Sequence, residues 1–216
     1  MSLTLYYHPL ASFCWKTLVA LYENATPFTP EFVDLSNEDA RNRFYKISPT
    51  GKFPVLVDDA RKQTLLESTI LNEYLDIHYP GPIRLIPKDA DQALEARTWD
   101  RFFDFYVHIP MQKIVLDNLR PDGKRDEFGV NEAKDIIKKS YETLNAHLAT
   151  HAWCIGDTFS LADCSAMPAL YYAMRVVPRD ASHTHIARYT QALFDRPSCA
   201  RVLQEAEPYF KNIPGQ

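Results

Sequence analysis

The stretch Ser48-Pro49-Thr50-Gly51-Lys52-Phe53-Pro54-Val55-Leu56 decides how the rest of the chain is interpreted. Proline lacks an N–H to donate and is therefore confined to strand starts and sheet edges, so Pro54 predicts a strand beginning at Val55. A residue before proline is held extended, and the pattern predicts that Phe53 turns an unpaired N–H and C=O outward. Such main-chain groups can pair with an extended peptide. Base rates alone favour a trans Phe53–Pro54 bond.

A hairpin and a helix follow this stretch. Val55-Leu56-Val57 and Gln63-Thr64-Leu65-Leu66 flank a short acidic turn, which is typical of two antiparallel strands. From Ser68 to about His78, apolar residues recur at helical spacing. The free N–H groups and the dipole at the start of this helix favour a carboxylate beside Glu67 and Ser68.

The segments before the central stretch alternate between strand and helix patterns. Residues 3–7 are rich in aromatic and branched side chains and predict a buried strand, after which a helix begins with Ser12 at the capping position. Residues 28–35 predict an edge strand because they contain Pro30, and Ser36 with Asp39 resembles a capping box. The whole order is βαβαββα, which predicts a mixed sheet packed between helices.

Everything after residue 88 has a helical pattern. Proline and glycine residues are most concentrated at residues 79–87, which predicts a linker there. We therefore expect one domain at 1–79, a linker at 80–88 and an all-helical domain at 89–216. The predicted helical features are a long helix capped by Asp89 and kinked by Pro110, a polar loop at 120–129, a helix at 131–149, a capping box at 160–163, and helices near 185–194 and 197–206.

Composition excludes several classes of partner. The 216 residues are 46% hydrophobic and carry a net charge of −4, without a block of Lys and Arg that would favour nucleic acid or an anionic membrane. No apolar run is long enough to span a membrane, and no signal peptide is evident. The four cysteines lack zinc or CxxC spacing, so we expect reduced thiols in a cytoplasmic protein and no metal site. His147 with His151, and His183 with His185, are expected to be solvated.

The central stretch, together with Glu67-Ser68, resembles the glutathione-binding half of the cytosolic glutathione S-transferase family. Leu85-Ile86-Pro87, the segment 156–163 and Arg196-Pro197 extend the resemblance over essentially the whole chain. It implies a thioredoxin-like α/β domain followed by an all-α helical bundle, a cis proline at Pro54, glutathione as co-substrate, a homodimer and a role in detoxification. Among family classes, the chain is similar to the bacterial serine-type, theta-, delta- and zeta-like members.

The resemblance also implies how glutathione is held. The helix start at Ser68 would bind the γ-glutamyl carboxylate, Glu67 the ligand's α-ammonium group, and Lys52 the glycyl carboxylate. Phe53, fixed by Pro54, would act through its backbone and not through its ring.

Two residues compete for the place beside the glutathione sulfur. Ser12 stands four positions before Lys16, the spacing of the serine and a basic residue in theta- and delta-like members, and its hydroxyl can donate to a thiolate. Cys14 is the alternative, since a cysteine at a helix N-terminus can itself attack a disulfide. Ala11 stands where the zeta-like serine would lie, which argues against zeta-type isomerase activity.

The second substrate is expected to meet an apolar wall. Flexible and flat apolar side chains accept varied substrates, and the candidates are Leu10, Phe13, Phe103, Tyr106, Met111 and Tyr171. The leading hypothesis is addition of the glutathione thiolate to a small hydrophobic electrophile. One alternative is glutathione-dependent disulfide or peroxide reduction at Cys14. Another is a non-catalytic interaction module, as in the stringent starvation proteins.

Overall fold

A computed structural model describes residues 2–212 of the chain. The elements follow in the order β1 (Leu3–Tyr7), α1 (Ser12–Glu23), β2 (Thr29–Phe32), α2 (Glu38–Tyr45), β3 (Val55–Asp58), β4 (Gln63–Leu66), α3 (Ser68–His78), α4 (Ala90–Phe102), a π-helical segment (Phe103–His108), α5 (Ile109–Asp117), α6 (Glu127–His147), α7 (Leu161–Val176), α8 (Thr184–Asp195), α9 (Pro197–Ala206) and a 3₁₀ turn (Glu207–Asn212). The predicted βαβαββα order and the helical second part are confirmed.

The four strands form one mixed sheet in the order β2-β1-β3-β4. Strand β1 runs parallel to β2 and antiparallel to β3, with Leu5 opposite Leu56, and β3 pairs with β4 as the predicted hairpin. Pro30 lies in the edge strand β2, where its missing N–H removes no bond from the centre of the sheet. The strand is shorter than the predicted range 28–35.

Of the four predicted helix-capping sites, two are wrong and two are confirmed. Asn37, and not Ser36, caps α2, because its side chain accepts a hydrogen bond from the Ala40 N–H. Ala11 occupies the capping position of α1, so Ser12 is already the first helical residue and its hydroxyl does not cap the helix. Asp89 caps α4, and the capping box at 160–163 is present.

The long helix predicted after residue 89 is interrupted before Pro110 and not at it. Residues Phe103–His108 form a π-helical segment, in which the Ile109 N–H bonds to the carbonyl of Asp104. Pro110 then lies in the first turn of α5, directly after this segment. Helix α6 begins at Glu127, inside the predicted loop, because the Asp126 side chain caps it by accepting from the Gly129 N–H.

One hydrophobic core runs through both halves of the molecule. It joins Leu5 and Trp15 of the first half to Leu161 and Tyr171 of the second. The intervening segment is tied to both halves at Leu85, whose N–H donates to Asp76 at 2.8 Å and whose carbonyl accepts from the Leu161 N–H at 2.8 Å. Because the core is continuous, the domain division at 80–88 stays a prediction.

None of the helices in residues 2–212 is both long enough and apolar enough to cross a membrane.

We predict that Asp163→Ala destabilises the fold by about 3 kcal/mol, because buried donors lose a charged acceptor. Its carboxylate accepts from the N–H of Cys154 at 3.0 Å, the N–H of Ser160 at 2.8 Å and the hydroxyl of Tyr189 at 2.6 Å. The measurement is urea unfolding at one fixed protein concentration. The matched control is Asp157→Ala, an exposed position, and equal midpoints for the two variants would contradict the prediction.

Candidate functional site

Ser12 lies at the start of α1 and forms part of a cavity wall. Its residue is only 8% exposed, and its Oγ contacts Nε2 of His108 from the π-helical segment. The cavity, which we call the Ser12 cavity, encloses about 380 Å³. Its lining comes from both halves of the chain and consists of Leu10, Ala11, Ser12, Phe13, Gly51, Lys52, Phe53, Met111, Gln112, Val115, Leu116 and Tyr172.

The loop before β3 presents bare main chain to this cavity. The Phe53–Pro54 bond is cis, as the family resemblance implied and base rates did not. No hydrogen bond among residues 2–212 uses the Phe53 N–H or C=O, whereas its ring stacks on Phe44 at 4.5 Å between centroids. Phe53 is therefore held by its side chain and offers its backbone to a ligand.

Ser48 and Gly51 set the shape of this loop. The Ser48 hydroxyl donates to the Lys52 carbonyl at 3.0 Å and accepts from the Lys52 N–H at 3.1 Å. Gly51 has φ +65°, and a Cβ added there would come within 2.3 Å of the Tyr45 ring. Only glycine fits this turn without displacing Tyr45. The Lys52 side chain is exposed at the cavity rim.

A second cavity of about 240 Å³ adjoins the start of α3, and we call it the Ser68 cavity. Glu67 precedes the helix with φ +70°, an uncommon backbone conformation that clusters at ligand-binding sites. No side chain caps α3, so its first N–H groups remain available beside the buried Ser68. The two cavities share Phe13, Lys52, Phe53 and Gln112.

A buried charge cluster lies directly behind Ser12. The ammonium group of Lys16, fully buried, is 2.6 Å from Asp100 Oδ1 and 3.1 Å from Asp104 Oδ2. It also donates to the Thr69 hydroxyl at 2.7 Å, while Arg101 pairs with both carboxylates. Two cations thus face two anions, and the cluster joins α1, α3 and the helix before the π-helical segment.

The two carboxylates of this cluster have different pKa values. Burial alone would raise the pKa of Asp100, but the charge and hydrogen bond of Lys16 hold it below its ordinary value. The pKa of Asp104 is raised chiefly by burial, which the positive charge of Lys16 opposes and the negative charge of Asp100 reinforces. Asp100 is therefore the carboxylate that stays ionised most firmly beside Lys16.

His108 is a residue of the site that sequence reasoning missed. It is fully buried, and the Phe13 ring stacks on its imidazole at 4.1 Å with an interplanar angle of 8°. Burial, followed by the positive charge of Lys16, lowers the pKa of His108 to about 3, so the ring is neutral. The only sequence signal was a histidine one turn before the predicted wall residue Met111.

Cys14 does not reach either cavity. Its side chain is fully buried, and burial raises the pKa of its thiol to about 12, although a hydrogen bond from the backbone at His8 opposes the shift. The alternative in which Cys14 lies beside a ligand's sulfur therefore lacks a geometric basis. The other three cysteines are also buried free thiols.

The structure brings half of the predicted apolar wall together at the Ser12 cavity. Leu10, Phe13 and Met111 line the Ser12 cavity, whereas Phe103, Tyr106 and Tyr171 line neither cavity. Phe103 is buried against Trp99 and Phe102, and Tyr106 is 55% exposed elsewhere on the surface. Tyr171 packs on Trp15 in the core, and its neighbour Tyr172 lines the cavity instead.

The pair His147 and His151 is half-buried and makes hydrogen bonds within the chain. His147 Nε2 bonds to the Cys154 carbonyl at 2.9 Å, and its ring stacks on that of His151 at 4.2 Å. Across the described part of the chain, no group of three or more His, Cys, Asp and Glu side chains could hold a metal ion.

The fold and the site define a class of protein: a thioredoxin-like half that presents main chain to a ligand, closed by a helical half that adds an apolar wall. Residues 5–83 match the family description "Glutathione S-transferase, N-terminal domain", and residues 102–197 match "Glutathione S-transferase, C-terminal domain". The chain belongs to the glutathione S-transferase family.

Individual relatives are distant. A probable maleylacetoacetate isomerase of Caenorhabditis elegans is 27% identical over 94% of each chain, and glutathione S-transferase GstB of Escherichia coli K12 is 27% identical over 87% of this chain and 91% of its own. A glutathione S-transferase structure from Methylobacillus flagellatus, with glutathione bound, superposes with a TM-score of 0.85 at 24% identity, covering 93% of this chain and 98% of that one. This structural likeness shows the shared fold.

We predict that the native protein resists thiol alkylation at Cys14. A thiol with a pKa of about 12 holds roughly a thousandfold less thiolate at neutral pH than a free cysteine, and only the thiolate reacts. The measurement is mass spectrometry of the Cys14 peptide after timed iodoacetamide treatment. The same chain in denaturant is the control, and labelling of Cys14 at equal rates in both states would contradict the burial.

Proposed function

We propose that the protein is a glutathione transferase, which adds the thiolate of glutathione to a small, uncharged, hydrophobic electrophile. One observation carries this proposal: the Ser12 hydroxyl lies in a cavity wall between the bare main chain of Phe53 and the apolar surface of α5. Such a hydroxyl is placed to donate to a thiolate at the meeting point of a peptide and an acceptor. Conjugation of this kind removes reactive electrophiles, which is a detoxification reaction.

The Ser68 cavity supplies the groups that the two ends of glutathione require. The start of α3 offers free N–H groups and the Ser68 hydroxyl to the γ-glutamyl carboxylate, and the exposed Glu67 offers a counter-charge to the α-ammonium group. The backbone of Phe53 pairs with the central cysteinyl residue, as a short strand addition. Lys52, at the border of both cavities, pairs with the glycyl carboxylate.

The chemistry requires a thiolate at neutral pH. A free thiol of this type has a pKa near about 8.5, and each unit of lowering corresponds to about 1.4 kcal/mol of preferential stabilisation of the thiolate. The Ser12 hydroxyl and the first turn of α1 provide this stabilisation. The sulfur lone pair then forms a C–S bond to the electrophilic carbon, and the leaving group departs with its bonding electron pair.

The acceptor side of the Ser12 cavity favours an uncharged partner. Its far wall consists of Leu10, Met111, Val115 and Leu116, with the Gln112 amide as a single polar contact. Lys52 is the one cation among the lining residues, and the glycyl carboxylate of glutathione already uses it. An acceptor that carries carboxylates would find no further cation there.

Other activities of the family fit this site less well. Disulfide or peroxide reduction through Cys14 would need a thiolate that its burial does not permit. Isomerase activity like that of the nematode relative is not proposed, since Ala11 supplies no hydroxyl where the zeta-like serine would stand. A purely non-catalytic interaction module would have no need for a polar hydroxyl and uncapped helix start in one cleft.

We also propose a two-fold homodimer in the cytoplasm. Helices α3 and α4 are joined by the Arg97–Glu73 ion pair at 2.9 Å, and they expose Ile77 and Leu94 to 64% and 65%. Large exposed apolar side chains on adjacent helices are typical of an interface. The four free cysteines fit a reducing compartment.

For Ser12→Ala, we predict that the thiol of bound glutathione titrates with a pKa higher by at least about one unit, because the thiolate loses a hydroxyl donor. The measurement is the ultraviolet thiolate absorbance of the complex across pH, with calorimetric affinity for glutathione recorded in parallel. Ser36→Ala, far from both cavities, is the control. If wild type and Ser12→Ala titrate identically, Ser12 has no part in the reaction.

For Ile77→Asp, we predict a dimer dissociation constant raised roughly a hundredfold, because two-fold symmetry places the new charge at the interface twice. Sedimentation velocity over a dilution series measures it. Leu119→Asp removes a leucine of similar exposure (60%) that lies beyond α5. A monomeric wild type, or equal constants for both variants, would refute the proposed interface.

A further inference from the structure

The Ser12 hydroxyl has two neighbours to satisfy but only one hydrogen to donate. Its Oγ contacts His108 Nε2, and the proposed function requires the same hydroxyl to donate to the glutathione thiolate. If Nε2 is an acceptor, it takes the only hydrogen of Ser12 and competes with the sulfur. If Nε2 carries a hydrogen, it donates to Oγ and leaves the hydroxyl hydrogen for the ligand.

The other ring nitrogen decides between these two tautomers. Nδ1 of His108 is buried and has no hydrogen-bond partner among residues 2–212. Orphaned buried N–H donors are rarer in proteins than under-satisfied acceptors. The tautomer with the hydrogen on Nε2 therefore has the lower free energy. Its one N–H donates to Ser12, and Nδ1 is left as an acceptor without a donor.

The surroundings keep His108 neutral and hold its ring in place. It is fully buried on the π-helical segment, and the charged group that lowers its pKa further is the ammonium of Lys16 on α1. Phe13 stacks flat on one face of the imidazole at 4.1 Å. A π-helical turn, which is frequent at functional sites, carries this side chain toward α1.

We propose that His108 is a positioning residue: its Nε2–H donates to Ser12 Oγ, so that the single hydrogen of Ser12 is directed at the sulfur of glutathione. This inference rests on the proposed function. The two hydrogen bonds form a chain from Nε2–H through Oγ–H to the thiolate, and each bond in such a chain polarises the next. Both His108 and Ser12 keep their own hydrogens throughout, and no proton is transferred between them.

The same geometry excludes a serine nucleophile. In a serine–histidine pair the imidazole takes the hydroxyl proton, and a third group orients it through the second ring nitrogen. Among residues 2–212, His108 has no such partner at Nδ1, and its pKa of about 3 makes it a poor base at neutral pH. The contact between His108 and Ser12 therefore sets the direction of the hydrogen bond and does not remove the proton of the Ser12 hydroxyl.

The first test uses the ligand-free protein and is independent of glutathione. In ¹⁵N-histidine-labelled protein, the His108 ring should show a protonated Nε2 and an unprotonated Nδ1, with no titration between pH 5 and pH 8. Assignment comes from the spectrum of His108→Gln, in which the signals disappear. A protonated Nδ1 on a neutral ring would overturn the proposal directly, whatever the protein binds.

The second test measures the consequence for the sulfur. We expect His108→Phe to raise the pKa of bound glutathione's thiol by about one unit, a tenfold change in the thiol–thiolate equilibrium. His108→Gln, which keeps an N–H donor, should recover most of the wild-type value. In the Ser12→Ala background, His108→Phe should add no further change, because His108 acts only through Ser12.

The outcomes separate this inference from the proposed function. If wild type binds glutathione with a lowered thiol pKa but folded His108→Phe and His108→Gln both titrate as wild type does, the inference fails and the transferase stands. The inference also fails if His108→Phe has its full effect without Ser12. If wild type binds no glutathione at all, the proposed function fails, and the nitrogen signals alone decide the hydrogen-bond direction.

Discussion

The buried contact between Lys16 and the carboxylates of Asp100 and Asp104 fixes the geometry on which the site depends. Ser12 and Lys16 lie one turn apart on α1, and Asp104 and His108 lie four residues apart on the helix that packs against it. The Lys16 ammonium lies 3.1 Å from Asp104, and Ser12 contacts His108 beside it. These two neighbouring contacts join antiparallel helices. Burying charges is costly, and such a cluster is better evidence of a fixed register than of added stability. A shift of α1 along the helix that carries Asp104 and His108 would break both contacts together.

Local patterns were enough to predict the scaffold, because each signal acts over a few residues. Pro54 marked the start of β3, the apolar spacing after Ser68 marked α3, and the box at 160–163 marked α7. The binding half of the site was therefore accessible from sequence. His108 was not, since its contact with Ser12 joins residues 96 positions apart. No periodicity or spacing reports a contact of that range.

The π-helical segment explains where the structure places two residues of the predicted wall. A π-helical turn holds more residues than an α-helical turn, so an α-helical period carried through Phe103–His108 assigns side chains to the wrong face. This accounts for Phe103 in the core and Tyr106 on the surface. The choice between Ser12 and Cys14 follows from the same geometry. Two residues along an α-helix rotate a side chain by about 200°, so Ser12 faces the cavity and Cys14 faces the opposite, buried side.

The two cavities have different roles in the proposed reaction, and they meet at the residues that line both of them. Phe13, Lys52, Phe53 and Gln112 belong to both linings, so the peptide and the acceptor of the proposed reaction would meet at this common border. Phe13 also stacks on His108, which places the aromatic floor of the border against the ring that contacts Ser12. In the proposed reaction, an acceptor in contact with Phe13 would also bear on His108, the residue that contacts the Ser12 hydroxyl. Substrate fit and thiolate stabilisation would then be coupled through this one aromatic stack, and the apolar wall would belong to the reaction as well as to binding.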